Sequence, residues 1–476
     1  MSKVNQVQID QIRQLLGSQG VLTGNDCAPY ETGARSDVGE AALVLRPKTV
    51  SELSTAVSFC VRNSIPIIPQ SANTGVVAGS TPDPSGTQAV VSLERLRGHL
   101  EIDAENRSVQ LDAGYRLSEL NARLEQHGLF FPIDLGADPL VGGMIATNTG
   151  GARFIRYGDV RRNTLGLTVV LADEQGSIVK LGSSLRKSNV GVDWKQLFIG
   201  TCGVFGIVAE CVLNVEPEPR QVATALLVPI SLEAVLPLLD LIERRAGPSL
   251  SAFEGMSGNA IAAALTHVPR LKNPFSRRDL PEYAILVEIS RNWEAQHGDL
   301  SIDEQLQMML SEIWESNNDL LEDVLVGPSH EFWALRHAIS EGVKAVGKLV
   351  ALDIAFKRGD VMRFLKRMRT ELPAAFPDVR ICEFGHIGDG GVHFNLVVDR
   401  HSANAADPGY EGQIRSLVYN IVVNEYGGSF SAEHNIGRKN QPYYDRFTDE
   451  RLKNFSGALK KATSPHPVGV PVLWSH

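Results

Sequence analysis

The sequence has no Cys-x-x-Cys pair; its five cysteines, Cys27, Cys60, Cys202, Cys211 and Cys382, are scattered. That excludes a disulfide framework and a zinc ribbon, and it implies reduced, structural thiols. No apolar run approaches the roughly 18 residues of a membrane-spanning helix; Pro, Gly or charge interrupts every candidate. Basic residues are not in excess: 46 Lys and Arg face 55 Asp and Glu, a net charge of −9. That balance excludes nucleic acid as the expected partner, because phosphate binding needs clustered cations. An anionic substrate would need a local arginine. There is no Gly-Lys-Ser/Thr loop and no GxGxxG opening a helix, so the two commonest nucleotide loops are missing. The first residues lack the basic-then-apolar order of a signal peptide, and the cytoplasm is the expected compartment. Internal repeats and low-complexity tracts are also missing.

What is present is enough chain for more than one core, 476 residues. From about Ala41 to Val215 apolar runs alternate with helical segments, as in a mixed α/β domain. Ala42 to Leu45 and Ile65 to Ile68 read as strands, and Thr49-Val50-Ser51-Glu52 reads as a capping box opening a helix between them. Pro217 and Pro219 punctuate the chain. Beyond them, long helices, including 329–346, lie between short strands and predict an antiparallel sheet with helices on one face. The fold class expected is α+β. The expected domains are 1–217, 218–445, and a C-terminal helix and tail, 446–476, that docks back on the first.

Three glycine-dense loops stand out in the first domain: Pro69 to Ser80, Gly143 to Arg153 and Ile199 to Ile207. Each could be turn chemistry alone. Together they favour an extended cofactor approached closely by backbone, with the first loop a candidate pyrophosphate cradle. Near the C-terminus, Gly385-His386-Ile387-Gly388-Asp389-Gly390-Gly391-Val392-His393 folds back through a glycine turn, and Ser431-Ala432-Glu433-His434 follows. His386, His393 and Glu433 can supply two imidazoles and a carboxylate to one divalent cation, leaving His434 as a base. A lone histidine is usually structural; two around a glycine turn, followed by Glu-His, point to a metal site.

With Asn73-Thr74-Gly75, the Gly142 to Gly158 run ending Arg153-Phe154-Ile155-Arg156-Tyr157-Gly158, the HxGDGxxH segment and Ser431 to His434 in view, the chain resembles the vanillyl-alcohol oxidase type flavoproteins. Within them it is similar to the FAD-dependent D-2-hydroxyacid dehydrogenases, in the branch of the D-2-hydroxyglutarate and D-lactate enzymes. The resemblance implies a two-part FAD-binding domain and a substrate-binding cap carrying the metal, most simply zinc. It places non-covalent FAD on Asn73, Thr74, Gly75, Gly79, Ser80, Asp134, Gly142, Gly143, Ala146, Thr147, Gly150, Gly151, Gly203 and Ile207. His386, His393 and Glu433 would hold the metal, and His434 would be the catalytic base. Arg336, Ser340 and Asn395 would contact the substrate. The activity implied is oxidation of a D-2-hydroxy acid to its 2-oxo acid, D-2-hydroxyglutarate before D-lactate. An external acceptor (electron-transfer flavoprotein, quinone or cytochrome) would take the electrons, and the enzyme would be a homodimer. The competing readings are a flavin subunit that relays electrons without catalysis and a metal-dependent hydrolase.

The chain departs from the family pattern in places. Ser71 and Ala72 replace a glycine pair, Cys202 and Val204 stand where Glu and Thr are usual, and Asn435 replaces a glycine. Ala351 stands where the hydroxyglutarate enzymes carry a lysine for the distal carboxylate. Lys348 is three residues away, which on a strand puts it on the opposite face.

Overall fold

Thr49 does open a helix, Val50–Arg62, with its side chain accepting from the Glu52 amide at 3.1 Å. The Glu52 carboxylate takes the Lys48 amide instead, at 2.9 Å, so the box closes one residue early. In the computed structural model, which describes residues 4–35 and 37–475, this helix connects two strands of a four-stranded sheet. The sheet order is Val21–Leu22, Ala41–Leu45, Gln88–Ser92, Ile67–Gln70, the last three parallel. A five-stranded antiparallel sheet follows, in the order Leu100–Asp103, Ser108–Asp112, Ile207–Asn214, Thr164–Val170, Ile178–Gly182. Leu53, Val57 and Cys60 of the helix pack with Leu43, Ile67 and Val91 in one core. Leu111, Val169 and Leu213 anchor another.

Two units are distinguished by their internal contacts. The first runs to Gly150, resumes over Asp159–Glu218 and takes up the chain again from Glu433; the second comprises Gly151–Gly158 and Pro219–Ala432. Within the first unit, the helix Glu450–Thr463 is tied down by polar bonds as well as packing. Lys460 Nζ donates to the Val204 and His466 carbonyls, both at 2.8 Å, and Ser464 Oγ donates to the Phe205 carbonyl at 2.9 Å. Leu459 and Trp474 pack on the core under the antiparallel sheet.

The second unit is built on an eight-stranded antiparallel sheet. Its order is Leu321–Val326, Gln221–Pro229, Tyr283–Arg291, Leu250–Ser257, Phe384–Gly385, Gly391–Val398, Lys348–Ala355, with Val379–Ile381 also pairing with Gly391–Val398. Helix cover on one face was expected, and here the structure corrects the sequence reading. Every residue of Leu250–Ser257 and of Tyr283–Arg291 is buried, so the central strands are covered on both faces. Helices Gly258–His267 and Ser329–Val346 share a core with Leu226, Ala252, Met256, Leu286, Phe384 and Val397 on one face. Helices Val235–Ala246 and Ile302–Ser316 pack against the same strands without joining that cluster. The physical reason lies in the run Tyr283-Ala-Ile-Leu-Val, which does not alternate and therefore demands apolar surroundings on both sides.

Candidate active site: glycine loops and a histidine pair

The first loop begins where the strand Ile67–Gln70 ends. Gln70 Nε2 donates to the carbonyls of Tyr30 (2.9 Å) and Ser80 (2.8 Å), which closes the loop on itself. Asn73 caps it: its Nδ2 donates to the Thr32 carbonyl at 2.8 Å while its Oδ1 accepts from Ser80 Oγ at 2.8 Å. Arg438 holds the far side through the carbonyls of Ala78 (3.2 Å) and Thr81. The carbonyls of Val77, Ala78, Ser80 and Thr81 are thus spent inside the protein. Among the described residues, no protein group accepts from the backbone amides of residues 73–80. A run of unpaired amides on a preorganised loop fits an anionic ligand such as a pyrophosphate. Thr74 and Gly75 are exposed, and a Cβ on Gly75 would meet nothing within 4 Å, so the cradle is open there.

The second loop is organised by close packing. Gly142 and Gly143 begin the helix Val141–Thr147, and a Cβ on Gly142 would lie 2.6 Å from that of Ala113. Ala146 and Thr147 end that helix, and Asn148 follows at φ +54°. Gly150 closes the first unit's part of the loop, while Gly151 opens the excursion into the second. Asp134 lies in the loop after Leu129–Phe130. In the third loop Gly203 has φ +77° and Cys202 φ +52°, the latter donating its amide to the Ala146 carbonyl at 2.7 Å; Ile207 starts the next strand. Positive φ in non-glycine residues recurs in these segments, at Asn73, Ala78, Asn148 and Cys202, and again at Asn435. Asn435 thereby explains one departure noted above. With φ +66°, it occupies a conformation that asparagine tolerates better than most residues, and its Nδ2 donates to the Gly200 carbonyl at 2.7 Å.

The second unit supplies side chains. The chain reverses after His386, whose carbonyl accepts from the amides of Asp389, Gly390 and Gly391, and the returning strand pairs His393 with Phe384. The two imidazole rings come to 5.1 Å between centroids, at 79°, and donor atoms of each lie within 4.8 Å. Each ring has a carboxylate at Nδ1. Glu254 Oε1 is 2.7 Å from His386 Nδ1, and Asp353 Oδ1 is 3.2 Å from His393 Nδ1. Asp353 is paired in register with His393, so the two share a sheet face.

Arg336, on the buried stripe of Ser329–Val346, does not stand alone. Its Nε and Nη2 lie 2.8 and 2.6 Å from Glu254 Oε2, and its guanidinium sits 4.7 Å from the Phe384 ring centroid. Burial pushes the Glu254 carboxyl up, but the charges of His386 and Arg336 pull it down further, to about 2. Ser340, one turn beyond Arg336, is exposed. Asn395 is 5% exposed, and no protein group among the described residues bonds its side-chain amide. It lies opposite Ala351 in register. Lys348 points elsewhere, donating to the Ala405 carbonyl at 2.9 Å.

Glu433 and His434 open the returning segment of the first unit. They follow Ala432, whose amide donates to the Asp353 carbonyl at 3.1 Å. Glu254, Asp353 and Glu288 were not singled out by the sequence reading. The available signal was a lone carboxylate inside an otherwise apolar strand, a combination that burial tolerates only with partners. Glu288 has them: Arg153 binds it through Nε and Nη2 at 2.9 and 3.2 Å, and Trp333 Nε1 donates at 2.8 Å.

Comparison with known proteins agrees with this arrangement. Residues 41–182 match the model of an FAD binding domain, and 218–468 match that of the C-terminal domain of FAD linked oxidases. A probable mitochondrial D-2-hydroxyglutarate dehydrogenase of Oryza sativa subsp. japonica is 28% identical over 98% of this chain and 81% of its own. The mitochondrial D-2-hydroxyglutarate dehydrogenase of Rattus norvegicus is 32% identical over 84% of this chain and 72% of its own. Among solved structures, p-cresol methylhydroxylase with substrate bound superposes with a TM-score of 0.72 at 14% identity, covering 97% of this chain and 96% of that one, a likeness of fold. An FAD-binding segment followed by a matching C-terminal domain over most of its length means that this chain belongs to the FAD-linked oxidases.

Proposed function

We propose that this enzyme oxidises a D-2-hydroxy acid to the 2-oxo acid, with D-2-hydroxyglutarate as its first substrate, using non-covalent FAD and a divalent metal, zinc. The observation that carries the proposal is the pairing of a buried His386 with a half-buried His393, each with a carboxylate near Nδ1, in a chain of the FAD-linked oxidase family. With its Nδ1 bonded to Glu254, a neutral His386 would present Nε2 to a metal, as histidine ligands of zinc commonly do, and Asp353 lies beside His393 in a similar place. Glu433 is the third ligand in this reading, a carboxylate to complete the two imidazoles. The unpaired amides of residues 73–80 hold the FAD pyrophosphate, with Asp134, Gly142, Gly143, Ala146, Thr147, Gly150, Gly151, Gly203 and Ile207 along the rest of the cofactor. The link is non-covalent because that loop contains no His or Cys.

When bound, the flavin supplies the hydride acceptor and the metal supplies Lewis acidity at the C2 hydroxyl. The chain's own residues do the rest. His434 takes the hydroxyl proton on a ring nitrogen as general base. Arg336, anchored on one edge by Glu254, offers its remaining Nη1 to a substrate carboxylate, and Asn395 offers its amide. Ser340 borders the same helix face as Arg336. An external acceptor, an electron-transfer flavoprotein, quinone or cytochrome, then collects the electrons. Cytoplasmic location is part of the proposal, against relatives whose names place them in mitochondria.

D-lactate is the second reading, and Ala351 favours it: no cation stands at that position, and Lys348 is committed to the Ala405 carbonyl. The test is kcat/KM for D-2-hydroxyglutarate, D-lactate and their L-enantiomers with a dye acceptor. D-2-hydroxyglutarate is expected to lead. A lead of more than about tenfold for D-lactate, roughly 1.4 kcal/mol in transition-state binding, reverses the order.

A further inference from the structure

We infer that Glu254 is the positioning residue of the site, fixing the ligand nitrogen of His386 and the orientation of Arg336 with a single carboxylate. The inference rests on the metal reading of His386. Glu254 is 1% exposed and lies on the central strand Leu250–Ser257, so no solvent competes for its oxygens and the strand holds its backbone rigidly. Its two oxygens are divided: Oε1 faces His386 Nδ1 at 2.7 Å, and Oε2 faces Arg336 Nε and Nη2 at 2.8 and 2.6 Å. An ionised carboxylate only accepts, so His386 donates from Nδ1, and when the ring gives up a proton to take a metal it is Nε2 that is left with the lone pair. Glu254 is therefore not a ligand itself. Its role is to fix the tautomer and the ring plane of a ligand.

The same argument applies to Arg336. The face of the guanidinium rests on Phe384, and one edge is held by Glu254, which leaves a single edge for an incoming carboxylate. Removing the Glu254 charge releases both groups at once. A carboxamide in its place could satisfy Arg336 only by turning its oxygen that way, which aims its NH2 at His386 Nδ1. That arrangement favours the opposite tautomer, with hydrogen on Nε2.

The experiment is titration of the purified flavoprotein with Zn2+ against a competing chelator, for wild type, Glu254→Gln and Glu288→Gln. Glu288 is the control: it lies on the neighbouring strand, is equally buried and binds an arginine, but has no histidine partner. We expect Glu254→Gln to retain flavin and to lose about 10- to 100-fold in zinc affinity, the usual cost of removing such a partner, while Glu288→Gln stays at the wild-type value. KM for the hydroxy acid should rise in Glu254→Gln as Arg336 loses its anchor. If Glu254→Gln does not fold, Glu254→Asp keeps the charge but retracts it from His386, and the same drop in affinity is expected. Zinc affinity within twofold of wild type in the folded variant overturns the inference and leaves the metal site standing. A wild-type protein that binds no stoichiometric zinc overturns both.

Discussion

In the first unit the candidate ligand-binding groups are main-chain amides, held in place by side chains such as Gln70, Asn73 and Arg438 that bond to loop carbonyls and backbone. In the second unit they are side chains held by other side chains, Glu254 between His386 and Arg336, Asp353 beside His393. The difference sets what each region tolerates. A backbone cradle survives the loss of an exposed side chain but not the addition of a Cβ where chains touch. A charge cluster around a buried carboxylate tolerates neither the loss of a partner nor a change of charge, because burial denies Glu254 the solvent that would replace it.

The comparison can be broken first at the base. His434→Asn should reduce turnover by about 10²–10⁴ and leave flavin and metal content unchanged; loss of metal in that variant would put His434 among the ligands. Glu288→Ala comes next. It takes from Arg153 its buried carboxylate and removes the acceptor of Trp333 Nε1, and the stability lost should be about 3–5 kcal/mol by urea denaturation, with little change in flavin retained. A smaller effect is expected in the cradle. Gly142→Ala would force a Cβ to 2.6 Å from Ala113 Cβ, for a loss of about 1–3 kcal/mol and weaker flavin retention. Thr74→Ala, on an exposed side chain, should retain flavin better than Gly142→Ala; the opposite ranking would mean that side chains make the cradle.

The remaining test concerns pH and leaves both ligand-binding regions untouched. Burial lowers the Lys460 ammonium from an ordinary 10.5 to about 7, so the folded state binds fewer protons than the unfolded state between those values. Stability should therefore rise with pH from about 7 towards 10.5 and the penalty should be fully present below 7. The difference in Tm between wild type and Lys460→Met, measured across that window, should change in wild type's favour as pH rises, by about 2–4 °C for each kcal/mol. A constant difference would show that the ammonium is retained.

Much of this was legible in the sequence because turn chemistry is local. The glycine turn after His386 and the helix 329–346 depend on neighbours a few residues away, and both are found where the residues predict them. The partners of the histidines were not legible. Glu254 and Asp353 reach them through strand pairing between segments far apart in sequence, and no local signal specifies register. Helix cover on both sides of Tyr283–Arg291 was missed for a related reason: the expectation weighed helix count and not the unbroken apolar run. The excursion Gly151–Gly158 carries no composition shift at all; it is set by Arg153 and Arg156 finding Glu288 and Ser290.

The central claim, that His386, His393 and Glu433 hold a metal needed for dehydrogenation of a D-2-hydroxy acid, is tested most directly by flavin bleaching without oxygen. Wild-type protein, loaded with Zn2+ or stripped by a chelator, is mixed anaerobically with D-2-hydroxyglutarate or D-lactate and followed by its flavin absorbance. The loaded protein should bleach with a D-acid, and the stripped protein should not until Zn2+ is restored. Equal bleaching with and without the metal would contradict the account.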